Sequence, residues 1–267
     1  MKKFSHRDYI NIFILIIIFL IILFSVVGFK YVNGSTVDWS SQHWIIPEYF
    51  RNLFYKTGDI FPSFAFNIGG GQNIYNLSYY GLLSPFILLS YLFNFVSMAN
   101  YIIVLMILVV ISSIILMYYW LHKRFETKYA FIGTLLFLLA APLIYHTHRH
   151  IMFINYMPFL LMGLIGIDKL FEKNRKTLLI ISIFLMIMTS YYYSVGGIIA
   201  IFIYGMYRYI EQDNKKEFID FIKTTFKIIL PILIGVLMSG VLLLPTFYAL
   251  LNGRGDITNS VNIVNLL

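Results

Sequence analysis

The polar residues that could support chemistry lie in two stretches between long apolar runs. The longer stretch, residues 30–81, follows the first apolar run and contains Asp38. The shorter is Tyr-His-Thr-His-Arg-His at 145–150, in which Arg149 stands between His148 and His150. A carboxylate can take a proton from a hydroxyl group, and a guanidinium can hold a phosphate in bidentate fashion. The first stretch could therefore supply a general base, and the second a cationic pocket for a lipid phosphate.

Asp38 lies about ten residues beyond the first apolar run, where the chain would leave the membrane. A base on the outer face must come from a short list of acids, unless a His serves: Asp38, Glu48, Asp59 and Asp256. Two other interpretations stay open for Asp38. It could be a solvated loop acid, or the N-cap of a helix that starts near Ser40.

The His-Arg-His stretch also has more than one interpretation. Its residues could simply be interfacial polar groups at the ends of two helices. A His-x-His pair alone is weak evidence for a metal site, because a carboxylate partner would be needed. A divalent cation is compatible with the sequence, which does not decide the cofactor. Asn155 and Tyr156 lie about one turn deeper on the same helix, and Asn in an apolar span is expected to point into the bundle.

Two further features carry a structural and a functional interpretation each. Tyr191-Tyr192-Tyr193 suits an aromatic belt at the membrane surface, or a surface on which sugars stack. Gly69-Gly70-Gly71 suits a turn, or close approach of the backbone to a substrate. The glycines are not a Walker loop, because no Gly-Lys-Ser/Thr follows them.

The composition shows which elements must position these residues. The 267 residues are 60% hydrophobic and 12% charged, with a mean hydropathy of +0.80. A soluble domain has about 25% charged residues, so the chain is expected to be an all-α integral membrane protein. The net charge of +8 suits cytoplasmic loops and lipid headgroups, and no nucleic-acid partner is expected. The absence of Cys excludes disulfides and thiol chemistry.

Seven apolar runs are expected to cross the membrane, and an eighth, residues 82–97, is short and contains Pro85. We expect one membrane domain, residues 1–267, in which the external loop 30–81 and the segment 82–97 cap the active site. The crossing runs are residues 10–28, 101–121, 129–145, 151–171, 178–193, 195–209 and 226–251.

The distribution of basic residues decides the topology. If residues 82–97 do not cross, fifteen of the 20 Lys and Arg residues lie inside, and crossing would invert that distribution. The positive-inside rule therefore predicts a re-entrant or juxtamembrane helix at 82–97 on the outer face of the cell membrane. It also predicts a cytoplasmic N-terminus and an external C-terminus. Residues 214–223 are predicted to form a short amphipathic helix on the inner surface.

These features together resemble the C-type glycosyltransferase architecture. The chain has the same order of elements as that architecture: a first spanning helix, an external Asp, two surface-lying segments, a re-entrant helix led by Ser-Pro, and paired spans. The outer loop is more closely similar to the YfhO family of bacterial membrane proteins. The residues that carry the similarity are Asp38, Gln42, Pro47, Tyr49-Phe50-Arg51, Gly58, Phe61-Pro62, Gly69-Gly70-Gly71 and Tyr79-Tyr80-Gly81-Leu82-Leu83-Ser84-Pro85-Phe86.

The resemblance implies an enzyme of the Gram-positive cell envelope. It would move a sugar from a polyprenyl-phosphate donor to an acceptor such as lipoteichoic acid, with Asp38 as the catalytic base. The expected substrate-binding residues are Gln42, Tyr80, His148, Arg149, His150, Asn155 and Tyr156. Family members are typically much longer, so an inactive piece of a longer protein or a non-catalytic membrane scaffold stays an alternative. A lipid or solute transporter is the third, although no repeated halves are visible.

Overall fold

The computed structural model describes residues 4–27, 38–147, 149–212 and 218–252, and these residues are almost entirely helical. They form twelve α-helices and four shorter elements. The shorter elements are a π-helical turn (Trp39–His43), a 3₁₀ helix (Ile74–Tyr80) and two antiparallel strands, β1 (Phe64–Ala65) and β2 (Gln72–Asn73). The α-helices are α1 (His6–Val27), α2 (Ile45–Thr57), α3 (Pro85–Ser90), α4 (Met98–His122), α5 (Thr127–Leu138), α6 (Ala141–Thr147), α7 (Ile151–Asn155), α8 (Met157–Lys173), α9 (Thr177–Thr189), α10 (Tyr191–Glu211), α11 (Phe218–Met238) and α12 (Gly240–Asn252).

Among the described residues, four helical segments are long and apolar enough to cross a membrane, namely α1, α4, α7 with α8, and α11. A fifth crossing results if α5 and α6, which meet at a 55° bend, count as one span. The apolar helices α9 and α12 are shorter than a usual span. The chain is thus a multi-pass helical protein. Three features stay predictions: the seven crossings, the sides of the membrane on which the chain ends lie, and the C-type glycosyltransferase architecture.

Helix α8 lies at the centre of the bundle, where it packs against α4, α9 and α10. Of the apolar window in residues 151–173, 78% is buried, against 11% for the window in α1. Gly163 and Gly166 let the neighbouring helices approach closely. A Cβ atom on Gly163 would lie 2.4 Å from Ile201 of α10, and one on Gly166 would lie 2.9 Å from the backbone of Leu179 in α9.

One buried acid, Asp168, links the helices near the end of α8. Asp168 is 1% exposed and accepts hydrogen bonds from Arg124 (2.9 Å) and from the Tyr204 hydroxyl (2.7 Å). The Arg208 Nε lies 3.2 Å from the same carboxylate oxygen. In the sequence, Arg124 and Arg208 served only as basic residues that indicate the cytoplasmic side of the membrane. In the structure they neutralise a carboxylate whose burial would otherwise be costly.

The described segment 38–84, which we call the outer segment after the side of the membrane predicted for it, is folded onto the bundle. Its buried residues form a second hydrophobic cluster that includes Phe50, Ile74 and Leu83 and reaches Met188 of α9 and Leu242 of α12. Apolar contacts thus fix the outer segment on the ends of two helices in the bundle. This attachment gives its polar side chains defined positions.

Arg51 of α2 is buried although its side chain is charged. It is only 3% exposed. Its guanidinium donates to the carbonyl oxygen of Val96 at 3.0 Å and approaches that of Phe93 at 3.4 Å. A buried guanidinium needs such acceptors, so Arg51 ties α2 to the turns that follow α3.

Residues 82–97 contain only one short helix, α3, whose six residues span about 9 Å. The hydrocarbon core of a bilayer is about 30 Å thick, so α3 is far too short to cross it. Turns follow α3, and the Tyr101 hydroxyl of α4 donates to the Phe86 carbonyl at 2.7 Å. The side of the membrane on which this segment lies stays a prediction.

Two helix boundaries near the C-terminus differ from expectation. Residues 213–217 lie outside the described part of the chain, and Phe218–Lys223 are the first turns of α11 rather than a separate surface helix. The expected single run 226–251 breaks at Ser239, and α12 begins at Gly240. The Ser239 hydroxyl donates to the Gly235 carbonyl at 2.9 Å, and Ser-Gly pairs are common sites of helix breaks.

Candidate functional site

Asp38 immediately precedes the π-helical turn and is exposed. Its side chain makes no capping hydrogen bond to this turn, so the N-cap interpretation does not describe its role. The next residue, Trp39, is 1% exposed and anchors the turn in the main hydrophobic core. An anchored turn with an exposed carboxylate at its start holds that carboxylate at a defined place on the surface.

Two histidines bring the two polar stretches together. His43, at the end of the π-helical turn, meets His150 edge to face with ring centroids 4.8 Å apart. The imidazole of His43 also forms a hydrogen bond with the backbone of Arg149. The Asp38 carboxylate acts electrostatically on both imidazoles. The carboxylate, the two imidazoles and the Arg149 backbone therefore belong to one site.

The electrostatics of the site favour neutral histidines. Burial lowers the pKa of His43 to about 4, and repulsion from His150 acts in the same direction. The Asp38 carboxylate and the bond to the Arg149 backbone oppose this shift. Burial, and then His146, also lower the pKa of His150. At neutral pH these imidazoles are uncharged, so they act through hydrogen bonds, and Arg149 carries the positive charge.

The 3₁₀ helix connects the two stretches through adjacent tyrosines. The Tyr79 hydroxyl lies 3.2 Å from Nε2 of His150, and the Tyr80 hydroxyl donates to Oε1 of Gln42. Burial raises the pKa of Tyr79, with a further contribution from its hydrogen bond with Tyr193. Gln42 and Tyr80 therefore hold the π-helical turn against the 3₁₀ helix beside the histidines.

Arg149 is exposed and contacts Tyr145 of α6. Its Nη1 donates to the Tyr145 hydroxyl at 3.2 Å, and its guanidinium carbon lies 4.8 Å from the centroid of the ring. These contacts orient one side of the guanidinium, which has five N–H donors in all. His148, the third member of the expected cluster, lies outside the described residues.

Tyr156 and Tyr193 form an aromatic wall below His150. Their rings are stacked with an interplanar angle of 9° and centroids 6.1 Å apart. Tyr193 also meets His150 edge to face at 5.6 Å. Tyr192 is 64% exposed and lies at the surface, whereas Tyr193 belongs to the site. The aromatic-belt interpretation does not extend to Tyr193.

Asn155 lies deeper, at the end of α7, and is 4% exposed. Its Oδ1 and the hydroxyl of Ser84 are both buried without a hydrogen-bond partner among the described residues. Both residues, together with Tyr80, line one narrow crevice with room for about one water molecule. Asn155 is thus connected to the site through the crevice rather than through Arg149.

No group of three His, Asp or Glu residues in the described ranges is arranged to hold a metal ion. The histidines of the site instead meet edge to face, as His146 and His150 do with ring centroids 5.6 Å apart. Their other neighbours are aromatic side chains, such as Phe153 beside His146 and Tyr193 beside His150. The buried Nδ1 atoms of His43, His146 and His150 have no hydrogen-bond partner among the described residues, which suits hydrogen bonding to an organic substrate.

Sequence reasoning gave no functional role to His43 or Tyr79, and left Tyr193 open between an aromatic belt and a surface on which sugars stack. His43 follows Asp38 by five residues, a spacing that an α-helix does not align but a π-helix does, through its i→i+5 hydrogen bonds. π-helical turns occur frequently at functional sites. The sequence did contain one signal, a His five residues after the candidate base Asp38. The meaning of that spacing depends on a rare local conformation, the π-helical turn.

Comparison with known proteins gives one family. A family model described as bacterial membrane protein YfhO matches residues 11–266. No curated protein and no solved structure matches the chain.

Proposed function

The chain belongs to the YfhO family of bacterial membrane proteins, and on this premise we propose that it is a membrane glycosyltransferase. It would move a sugar from a polyprenyl-phosphate donor to a cell-envelope acceptor such as lipoteichoic acid at the outer face of the membrane. The observation that carries the proposal is the contact of His43 with His150, whose ring centroids are 4.8 Å apart. This contact supports a site in which the turn that follows Asp38 lies near the Arg149 stretch, as a base and a phosphate pocket would require.

In this proposal Asp38 accepts the proton of the acceptor hydroxyl. The hydroxyl oxygen attacks the anomeric carbon, a new glycosidic bond forms, and the bond from that carbon to the phosphate oxygen breaks. The phosphate oxygen keeps the electron pair and leaves on the lipid. The exposure of Asp38 suits this role, because its carboxylate is open to an incoming hydroxyl.

The leaving phosphate gains negative charge, which a nearby cation stabilises. Arg149 supplies that cation, since burial keeps His150 neutral at physiological pH. His150 then contributes as a hydrogen-bond partner, with Tyr79 at 3.2 Å from its Nε2. His148 is proposed to assist from the same stretch. No step of this proposal passes through a metal ion.

The remaining residues are proposed to bind the sugar. Gln42 and Tyr80 offer an amide and a phenol at the turn that carries Asp38. The stacked rings of Tyr156 and Tyr193 offer an aromatic wall, on which sugar rings pack through their C–H faces. Asn155 would act at the narrow crevice below.

The envelope composition of cells that lack the gene tests the proposal. Restoring the gene should return one sugar substituent to a cell-wall polymer, and a copy with Asp38→Asn should not. A non-catalytic scaffold requires the protein but not the carboxylate, so full restoration by Asp38→Asn would favour the scaffold. An unchanged envelope in the deletion strain would refute the transferase itself.

A further inference from the structure

A second, larger cleft opens beside the 3₁₀ helix. It has a volume of about 480 Å³ and lies between the outer segment and α12. The outer segment contributes the amide side chains of Gln72, Asn73 and Asn76, and α12 contributes Tyr248 and Asn252. The wall is completed by Gly69 of the glycine turn and by Ala249. The cleft is large enough for a sugar unit, since small-molecule sites usually start at about 300 Å³.

The cleft is neutral and rich in groups that both donate and accept hydrogen bonds. None of its seven lining residues is charged. The Asn73 Oδ1 accepts from the Tyr75 N–H at 3.0 Å, and the Asn252 Nδ2 donates to the Tyr248 carbonyl at 3.0 Å. These bonds orient the two amides, so that one presents N–H donors and the other a carbonyl acceptor. Such a lining suits a ligand with several hydroxyl groups and no charge.

The cleft is connected to the candidate active site by one face of the 3₁₀ helix. Side chains three residues apart eclipse one another in a 3₁₀ helix, so Asn76 and Tyr79 form a row on one face, and Asn73 is the N-cap that precedes them. All three are half-buried, whereas the neighbours at 74, 75, 77 and 78 are buried. Asn76 and Tyr79 are separated by about 6 Å along the axis. The Tyr79 hydroxyl then reaches His150. The row leads from the cleft to the histidines over about the length of one sugar.

We propose that this cleft is the acceptor subsite and binds a neutral sugar or polyol unit of the acceptor. The assignment of the ligand as acceptor rests on the proposed function, whereas binding of a polyol in the cleft can be tested without catalysis. Gln72, Asn73, Asn76 and Asn252 are the hydrogen-bonding residues, and the exposed ring of Tyr248 offers a stacking face.

Binding is measured with the purified 267-residue chain in lipid nanodiscs, by saturation-transfer NMR with maltose and ribitol as neutral probes. Asn76→Leu and Asn252→Leu each remove a polar wall group from opposite sides of the cleft. Each should weaken binding of at least one probe about tenfold, the value of a lost hydrogen bond. Asn94→Leu, an exposed Asn outside the cleft, is the matched control and should leave binding unchanged. Gel filtration and thermal unfolding check that each variant is folded.

Competition by inorganic phosphate separates a neutral site from an anion site, and phosphate should not displace either probe. Displacement by phosphate, equal binding in both cleft variants, or no binding by the unmutated chain would overturn the proposal. The Asp38→Asn variant should bind the probes normally. If it also retained sugar transfer while the cleft variants lost probe binding, the catalytic assignment would fail and the binding site would stand.

Discussion

The imidazoles of His43 and His150 meet edge to face with ring centroids 4.8 Å apart, although the chain between them includes the helices α2 to α6. His43 ends the π-helical turn that follows Asp38, and His150 follows Arg149 directly. This contact joins the acid and the cation of the proposed mechanism in one site.

The burial of His43 predicts a loss of stability in acid. The pKa of His43 is lowered from an unfolded value near 6.5 to about 4, so the unfolded chain binds a proton between these pH values that the folded chain does not. Stability should therefore fall as the pH decreases from about 6.5 towards 4, by on the order of 2–3 kcal/mol. Thermal unfolding in detergent across this range measures it. His43→Gln should flatten the profile, and an unchanged slope would contradict the assignment.

Substitution of Asp38 should remove most of the transferase activity. Asp38→Asn preserves the shape of the side chain but removes the base, so the rate of sugar transfer should fall about 10²–10⁴-fold. Asp59→Asn is a matched control in the same outer segment. Its Oδ1 accepts from the Phe61 N–H at 2.8 Å, a bond that Asn can also make, so activity should be kept. Equal rates in the two variants would refute the assignment.

Substitution of Arg149 should weaken use of the donor. Arg149→Lys keeps the charge but loses the planar fork that grips a phosphate in bidentate fashion. The KM for the polyprenyl-phosphate donor should rise about tenfold, as for the loss of one charge-assisted hydrogen bond. Lys56→Ala removes an exposed cation elsewhere in the outer segment and serves as the control. A donor KM that responds equally to both changes would indicate general electrostatics rather than a phosphate pocket.

The buried acid of α8 should matter for stability. Asp168→Ala leaves Arg124 and Arg208 without their buried carboxylate, and loss of one partner of a buried ion pair typically costs about 3–5 kcal/mol. Glu172→Ala removes a half-exposed partner of Lys123 and should cost at most about 1 kcal/mol. Thermal unfolding in detergent compares the two. Similar shifts in the melting temperature would show that the buried network is not the stronger one.

The topology can be tested with single cysteines, because the natural chain has none. With residues 82–97 on the outer face, Asn94→Cys should react with an impermeant reagent in intact cells. Lys173→Cys, in a basic loop, should react only after the cells are opened. Labelling of position 173 but not 94 in intact cells would invert the proposed orientation.

The sequence by itself determined the features that depend on local composition. Long apolar runs predict membrane helices because each run must bury its own backbone hydrogen bonds in a helix. The short run that contains Pro85 was correctly expected not to form a full-length span, since α3 has only six residues. The residues of the outer loop were sufficient to recognise the family, and the family model confirms it. Asp38 was chosen as a candidate because few acids are expected on the outer face, and Arg149 because a guanidinium can hold a lipid phosphate in bidentate fashion.

Only the tertiary structure decided which of these residues meet. The π-helical turn aligns His43 with Asp38, and a periodicity of 3.6 residues does not predict that alignment. Arg51 is buried because the carbonyl groups of Phe93 and Val96 fold back over it. Tyr193 joins the site because α10 begins beside His150. The contacts of Arg51 and Tyr193 join segments far apart in the chain, and hydropathy is a local property that carries no information about such pairing.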